Sequence, residues 1–462
     1  MHHNAASLDD CQSLTNPCFF SMNRDETFSP LFTDLYELTM MLAYGENHLA
    51  AKATFSLYIR GSAWINRGFF VTAGLEAALY GLEGMRFSQT DMDYLQSLNL
   101  FPEGFIRSLS GFRFTGDVWA MPEGTICFAD EPLMEVTAPI AEAQLVETFL
   151  INTLGFQTNI ATKALRCVHA AKGKPLVDFS LRRTQGLDAG MQVARSAYIS
   201  GFTGTSNVLA GKKYGIPVSG SMAHSFVLAL GNDVEAFQAY ARSFPGNSIF
   251  LIDTHDVIEG ARSAVEVALN MAKEGYLLKG VRIDSGEMVE VSNKVRRILN
   301  EAGLHQVQIV ATSGFDEFEI EKALSDGAAI DAFGVGTKLG VSADTPYLDM
   351  VYKLARYDDR DVKKTSPEKI TLAGEKQVFR KTDRTGRYVA DTLGTRNEMI
   401  DETEPLLIKV MGNGLRIQAP PTLQEIRKRI QTGFSNLDAG YKFLDHPDKY
   451  PIRLSRRLSE IQ

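Results

Sequence analysis

The chain has 462 residues, with 48 basic and 56 acidic side chains and a net charge of −8. That length exceeds what one simple core accommodates and predicts two or three domains. No Lys/Arg block marks a nucleic-acid surface, whereas a small anionic substrate needs only a local positive cluster.

The cysteines Cys11, Cys18, Cys127 and Cys167 are scattered and form no CxxC pair. This argues against a disulfide framework or structural zinc and suits a reducing cytoplasm. No apolar run reaches the length of a bilayer span, and the richest, at 68–82, carries Glu76. Residues 1–28 show no basic start followed by an apolar core. They are read as a weakly ordered extension rather than a signal peptide.

Residues 29–165 mix helix-like pieces with β-rich ones and read as an α+β domain. From 166 to 344 the pattern changes. Short β-like runs at 174–181, 215–221, 248–253, 279–284, 307–313 and 330–336 alternate with helix-like segments. In the segment 260–276, Ala264, Val267, Ala268 and Met271 share one helical face. Gly275 and Gly303 stand where helix ends are expected. Six βα units in a row predict a parallel sheet. Residues 345–462 carry a charged loop, a β-like piece and the helix-like "TLQEIRKRIQTGF". Their composition suggests a segment that packs back on 29–165.

The β-like runs end in polar residues. The first ends in Asp178, Phe179, Arg182 and Arg183, and the second leads to Ser221 and His224. The third ends in Asp253, His255 and Asp256, and the fourth in Arg282, Asp284 and Ser285. The last two end in Thr312, Ser313 and Gly314 and in Gly334, Gly336 and Thr337. Barrels build their sites at C-terminal strand ends, whereas open sheets gather them at one switch point. Six polar strand ends therefore favour a closed or irregular barrel.

The residue types suggest ligands. In "FGVGTKLG" (333–340), two glycines leave backbone N–H groups open to an anion and Thr337 adds a hydroxyl. Glycines also serve tight turns, but "TSGFDE" (312–317) is a second such turn on the adjacent unit. Arg282 and Asp284 lie two apart on a strand and so share a face. Arginine clamps carboxylates; aspartate accepts from hydroxyls or ring nitrogens, or holds a metal. Phe179, among polar neighbours, suits a platform for a flat ring. "LIDTHD" (251–256) offers carboxylates to Mg²⁺ or a cap to the next helix. His224, in "SGSMAHSFVLAL", reads by itself as a hydrogen-bonded structural residue. No P-loop, zinc motif or Ser-His-Asp order is present. Together these groups suit a flat, acidic substrate and a phosphorylated one.

The chain resembles the nicotinate phosphoribosyltransferase family. The resemblance is carried by "TDLYELTM" (33–40), "DFSLRR" (178–183), "GFTGTSNVLAG" (201–211), "MAHS" (222–225), "GVRIDSG" (280–286), "FGVGTKLG" (333–340) and "KITLAGEKQVFR" (369–380). It implies an irregular α/β barrel plus an α+β N-terminal domain completed by the C-terminal segment. It implies that nicotinate and phosphoribosyl pyrophosphate give nicotinate mononucleotide and pyrophosphate in NAD salvage. ATP is the co-substrate, Mg²⁺ the expected cofactor, and a cytoplasmic homodimer with shared active sites the expected state.

By the same matching, His224 is the residue phosphorylated by ATP, and Asp284 lines the substrate pocket and is the second catalytic candidate. Tyr36 and Phe179 sandwich the pyridine ring, and Ser221 and Arg282 meet the nicotinate carboxylate. Arg182 lines the phosphoribosyl pyrophosphate pocket, and Gly314, Gly336 and Thr337 hold the 5-phosphate. Lys363, Lys364 and Lys369 belong to a loop near the site or to a solvated charge run. The stretch 58–70 matches loosely, which leaves Arg60 and Arg67 without a firm role. Ser206 stands where the related nicotinamide phosphoribosyltransferase carries an Asp, and a neutral residue suits an anionic base. Two readings from other classes are a barrel aldolase using Lys338 as Schiff-base nucleophile and a phosphate-binding regulator.

Overall fold

The computed structural model describes residues 29–61, 65–366 and 371–462. Two sheets dominate it. The larger is antiparallel, in the order Arg360–Asp361, Met350–Tyr357, Lys52–Ile59, Pro132–Pro139, Asp117–Ala120, Ile408–Gly412 and Leu415–Arg416. Its three central strands precede residue 166, and strands from beyond residue 344 flank them on both sides. The C-terminal segment thus completes the N-terminal domain.

Alternation sets the register. Leu57 pairs with Tyr352 on one side and Met134 on the other, and Phe55 stacks on Tyr352 with ring centroids 4.8 Å apart. Phe55, Leu57, Ile59, Met134 and Val136 all belong to one buried core.

A buried charge fastens the C-terminal segment. Glu135 is fully buried on the central strand Pro132–Pro139. It accepts from Ser56 Oγ (2.6 Å), the Lys376 backbone N–H (2.9 Å) and Arg396 Nη2 (2.5 Å). Burial opposes its charge, but Lys376 and Arg396 outweigh that and hold the carboxyl below its ordinary value. The helix Leu423–Asn436 opens with a Thr422/Glu425 capping box. It buries Ile426 and Ile430, and Arg427 Nη1 donates to the carbonyls of Tyr198 (2.7 Å) and Phe202 (2.6 Å) of the parallel unit.

The second sheet is parallel, in the order Gly204–Thr205, Leu176–Asp178, Ala332–Val335, Gln308–Ala311, Gly280–Ile283 and Ile249–Leu251. Its first and last strands in the chain, Leu176–Asp178 and Ala332–Val335, are neighbours. Consecutive strands otherwise sit side by side, as in a barrel, except Gly204–Thr205 and Ile249–Leu251, which form the two edges. Phe250, Val281, Ile309 and Phe333 are fully buried. The helices Val257–Lys273 and Met288–Glu301 are followed by Gly275 and Gly303 at φ +83° and +75°, the left-handed stops the sequence predicts.

The ring of backbone ladders stays open at one place. The expected strand at 215–221 is reduced to a single bridge between Thr205 and Val218, and Gly204–Thr205 takes the strand position instead. Pro217 has no N–H to donate to a ladder. A Cβ at Gly204 would lie only 2.6 Å from the Pro217 carbonyl oxygen, so the close approach requires glycine there. No ladder joins the 215–221 segment to Ile249–Leu251 among the described residues. No helix among them is long and apolar enough to cross a membrane.

Replacing Glu135 by Ala leaves Lys376 buried without its acidic partner and Arg396 with Glu375 alone. This should cost about 3–5 kcal/mol of stability. Chemical denaturation of both proteins measures it, and a loss below roughly 1 kcal/mol would contradict the assigned role.

Candidate active site

The strand ends of the parallel sheet bring most of the sequence candidates together. Where the backbone ring is open, side chains cross the gap. Arg282, at the end of Gly280–Ile283, donates from Nη1 to Ser221 Oγ at 2.7 Å. His224 opens the helix His224–Leu230, and its Nδ1 lies 3.0 Å from Thr254 Oγ1, just past Ile249–Leu251. Its other nitrogen, Nε2, faces Asp284 Oδ2 at 3.8 Å.

Asp284 is held in turn. Its Oδ1 accepts from Thr312 Oγ1 at 2.5 Å, and its backbone N–H donates to Asp253 Oδ2 at 2.9 Å. Ser285 Oγ donates to the same Asp253 oxygen at 2.6 Å. Imidazole and carboxylate are therefore fixed by contacts among three strand ends, those of Ile249–Leu251, Gly280–Ile283 and Gln308–Ala311.

Two buried atoms here lack partners: Arg282 Nε and Asp253 Oδ1. Such atoms are costly unless a ligand or water satisfies them. Burial pulls the Arg282 guanidinium below its ordinary value, and Asp284 and Asp253 oppose that pull. Its free donor and forked shape are of the kind that suits a carboxylate.

Phe179 follows the strand Leu176–Asp178, and its N–H donates to the Val335 carbonyl at 2.8 Å. A Cβ at Gly334 would lie 2.5 Å from the Phe179 ring, so the glycine lets the ring lie flat over the strand. Asp178 belongs to the fold rather than to the pocket. It is buried and accepts from Ser180 N–H (2.9 Å), Ser180 Oγ (2.5 Å) and Thr205 Oγ1 (2.7 Å). Arg182 is exposed on the 3-10 turn Leu181–Arg183, near enough to Arg282 to act on its charge.

The two glycine turns lie on adjacent units. Ser313 and Gly314 both take positive φ, +101° and +68°. Asp316 then caps the helix Glu317–Ser325, accepting from the N–H groups of Phe318 and Glu319. Gly336 precedes the short helix Thr337–Gly340. Lys338 Nζ sits 3.7 Å from both Asp316 Oδ2 and Glu319 Oε1.

In "LIDTHD", Asp256 caps the helix Val257–Lys273 and His255 Nδ1 meets Asp233 at 3.1 Å. Helix capping thus accounts for Asp256. Lys363 and Lys364 are exposed, and Lys369 lies outside the described residues.

Tyr36 stands apart. It lies in the first turn of Leu35–Glu46, 45% exposed, with its hydroxyl bonded to Glu147. Burial and Glu147 push that hydroxyl well above the ordinary tyrosine value. Glu37, one residue on, is fully buried and accepts from the N–H (3.0 Å) and Oγ1 (2.6 Å) of Thr148. Leu38 and Met41 face the core, so the helix docks through them and Glu37 and leaves Tyr36 outward.

Sequence reasoning missed a second charged group beneath the glycine turns. Lys163 and Arg166, on the long helix Glu147–Ala170, are buried with Arg67, Asp316 and Glu317, and with the partly buried Asp344. The loosely matching stretch 58–70 thus contributes Arg67 to the interior, while Arg60 pairs with Asp349 at 3.1 Å. A signal existed: Asn159, Lys163 and Arg166 recur at helical spacing in a segment too apolar to be a solvated face.

Three family patterns match the chain. They are the nicotinate phosphoribosyltransferase N-terminal domain over residues 31–155, the nicotinate phosphoribosyltransferase family over 175–369, and the C-terminal domain over 399–462. The Mycobacterium tuberculosis protein named nicotinate phosphoribosyltransferase pncB2 is 44% identical, covering 93% of this chain and 92% of its own. The Bacillus subtilis nicotinate phosphoribosyltransferase is 37% identical, covering 94% of each. The crystal structure of human nicotinic acid phosphoribosyltransferase superposes with a TM-score of 0.83 at 28% identity, covering 93% of this chain and 99% of that one. The chain belongs to the nicotinate phosphoribosyltransferase family.

Proposed function

We propose that the strand-end site transfers the phosphoribosyl group of phosphoribosyl pyrophosphate to nicotinate, and that ATP drives the cycle through a phosphohistidine at His224. The observation that carries this reading is Arg282. Its Nη1 is held by Ser221 while its buried Nε has no partner. A carboxylate in the pocket satisfies that donor and matches the charge, whereas the amide of nicotinamide brings no charge to match. Ser206, at the end of Gly204–Thr205, adds no negative charge that would repel an acid.

The pyridine ring lies against Phe179. Its nitrogen attacks C1 of the ribose, a C–N bond forms, and the C–O bond to pyrophosphate breaks. Gly314, Gly336 and Thr337 take the 5-phosphate, and Arg182 faces the pyrophosphate. Mg²⁺ bound to the phosphates would neutralise part of their charge. The unpartnered Asp253 Oδ1 and the Asp284 carboxylate are hard oxygens of the kind it takes. Thr254 orients the His224 ring, leaving Nε2 toward Asp284 and the pocket. A phosphoryl group on this imidazole places negative charge at the site of transfer.

The second face of the ring comes from Tyr36 of another copy of the chain. Phe32, Leu35 and Tyr36 form an exposed apolar edge at one helix end, 45%, 50% and 45% accessible. A homodimer covers that edge and completes the site.

Three experiments test this reading. His224→Asn should keep the fold and lose all ATP stimulation of turnover. γ-labelled ATP should leave an acid-labile label on the parent alone, and equal labelling of the variant would sink the assignment. Arg282→Ala should raise KM for nicotinate roughly 10- to 100-fold, the worth of a charged hydrogen bond. KM for phosphoribosyl pyrophosphate should move far less, and equal use of nicotinate and nicotinamide by the parent would refute the pocket. Tyr36→Ala and His224→Asn chains should each be nearly inactive yet recover activity when reassembled together. Heterodimers that form without recovering activity rule out the shared site.

A further inference from the structure

Six charged side chains meet beneath the glycine turns. Lys163 Nζ lies 2.5 Å from Glu317 Oε2, 2.8 Å from Asp344 Oδ1 and 3.5 Å from Asp316 Oδ2. Arg166 Nε adds a 2.8 Å contact to Glu317, and Arg67 Nη2 reaches Asp344 at 3.1 Å. Lys163, Arg67 and Arg166 face Asp316, Glu317 and Asp344, and the more exposed Lys338 reaches Asp316 at 3.7 Å from the rim. Such buried ion clusters bring little net stability over an apolar packing of the same volume. Stability alone therefore does not account for six charges drawn from four segments.

The segments themselves suggest the purpose. Asp316 and Glu317 follow the Ser313–Gly314 turn directly. Asp344 closes the turn that continues the helix Thr337–Gly340, where the N–H of Val341 donates to the Thr337 carbonyl at 3.1 Å and that of Ala343 to the Lys338 carbonyl at 3.0 Å. Ser342 sits at φ +45° in that turn. Its Oγ accepts from Arg67 Nη2 (2.8 Å) and donates to Asn159 Oδ1 (3.0 Å). Asn159 Nδ2 also holds the Thr345 carbonyl at 2.8 Å. Both turns are thus tied to one rigid helix, Glu147–Ala170, with Lys163 touching an acid from each.

We propose that Lys163 is a positioning residue for the 5-phosphate, fixing the separation of the Ser313–Gly314 and Gly336–Thr337 turns through Glu317, Asp316 and Asp344. This rests on the reading that those turns take the phosphate. Lys163 itself stays buried and touches no substrate. An error of an ångström in such a cradle costs about 10²-fold, which is the scale on which the cluster acts.

The test uses the full-length enzyme and two competitive inhibitors of phosphoribosyl pyrophosphate. Ribose 5-phosphate reports on the 5-phosphate turns, and inorganic pyrophosphate on the other end of the substrate. The double variant Lys163→Met/Asp344→Asn removes one charge of each sign. It should raise the inhibition constant of ribose 5-phosphate and the KM of phosphoribosyl pyrophosphate at least about tenfold. The constant for pyrophosphate and the KM for nicotinate should stay within about twofold. No rise, or an equal rise in both inhibition constants, overturns the proposal. If the double variant does not fold, Ser342→Ala decides, because it removes two hydrogen bonds from the same turn without changing charge. It should raise the ribose 5-phosphate constant several-fold, and an unchanged constant also overturns the proposal. Thr337→Val separates the two ideas. If it too leaves ribose 5-phosphate binding unchanged, the phosphate turns themselves are misread. If it weakens binding while the cluster variants do not, only the positioning role fails.

Discussion

The hydrogen bond from Arg282 to Ser221 spans the one place where the parallel ring has no backbone ladder. With the His224–Thr254 contact, it joins a segment that Pro217 keeps out of regular pairing to strands that are firmly paired. The opening has a chemical use. A closed ladder would consume the backbone groups at this edge and press Ser221 and His224 into a packed core. Left open, the edge presents both side chains at the strand ends beside Asp284. The irregularity of the barrel and the location of the site have the same cause.

Charge is buried at two levels of the molecule. Within the fold, Glu135, Glu317 and Asp391 are buried and each is met by arginine or lysine. All three carboxylates accept hydrogen bonds, although Lys163 Nζ, Arg166 Nη1 and Arg396 Nε beside them have no hydrogen-bond partner. At the strand ends an acceptor and a donor, Asp253 Oδ1 and Arg282 Nε, are unpartnered within one pocket. Unmet donors and acceptors of this kind cost stability, and proteins retain them where a ligand completes them.

Much of this was legible in the chain. The βα rhythm showed because four-residue apolar runs alternate with helices whose faces repeat every three to four positions. Glycines at 275 and 303 marked the ends. Gly204–Thr205 is too short to leave any periodicity, and the apolar look of 215–221 concealed what Pro217 forbids. Arg282 and Asp284 could be placed together because they lie at one strand end, where sequence position predicts spatial position, whereas Ser221 and His224 follow a run that forms no strand and stood out through the resemblance. Thr254 and Thr312 were not singled out for the roles they have, since a hydroxyl that orients a neighbour differs in no way from any other until the fold supplies the neighbour. Lys163 was missed for another reason. A charged residue on a helix is expected to face water, and this helix is buried continuously from Gln157 to Cys167.

The antiparallel sheet has a consequence for how the chain comes into being. Leu57 pairs with Tyr352, and Trp119 with Lys409, so its central strands meet their outer neighbours only after most of the chain exists. During synthesis the parallel unit from Leu176 to Val335 has every strand it needs first. Until the last part emerges, the strands Lys52–Ile59 and Asp117–Ala120 have open edges and an uncovered apolar face. Such edges invite pairing with other chains. The closing contacts are also the slowest kind to find, because they join positions far apart in sequence. Truncation near the end therefore removes more than a tail, since it leaves the first domain made without the strands that finish it.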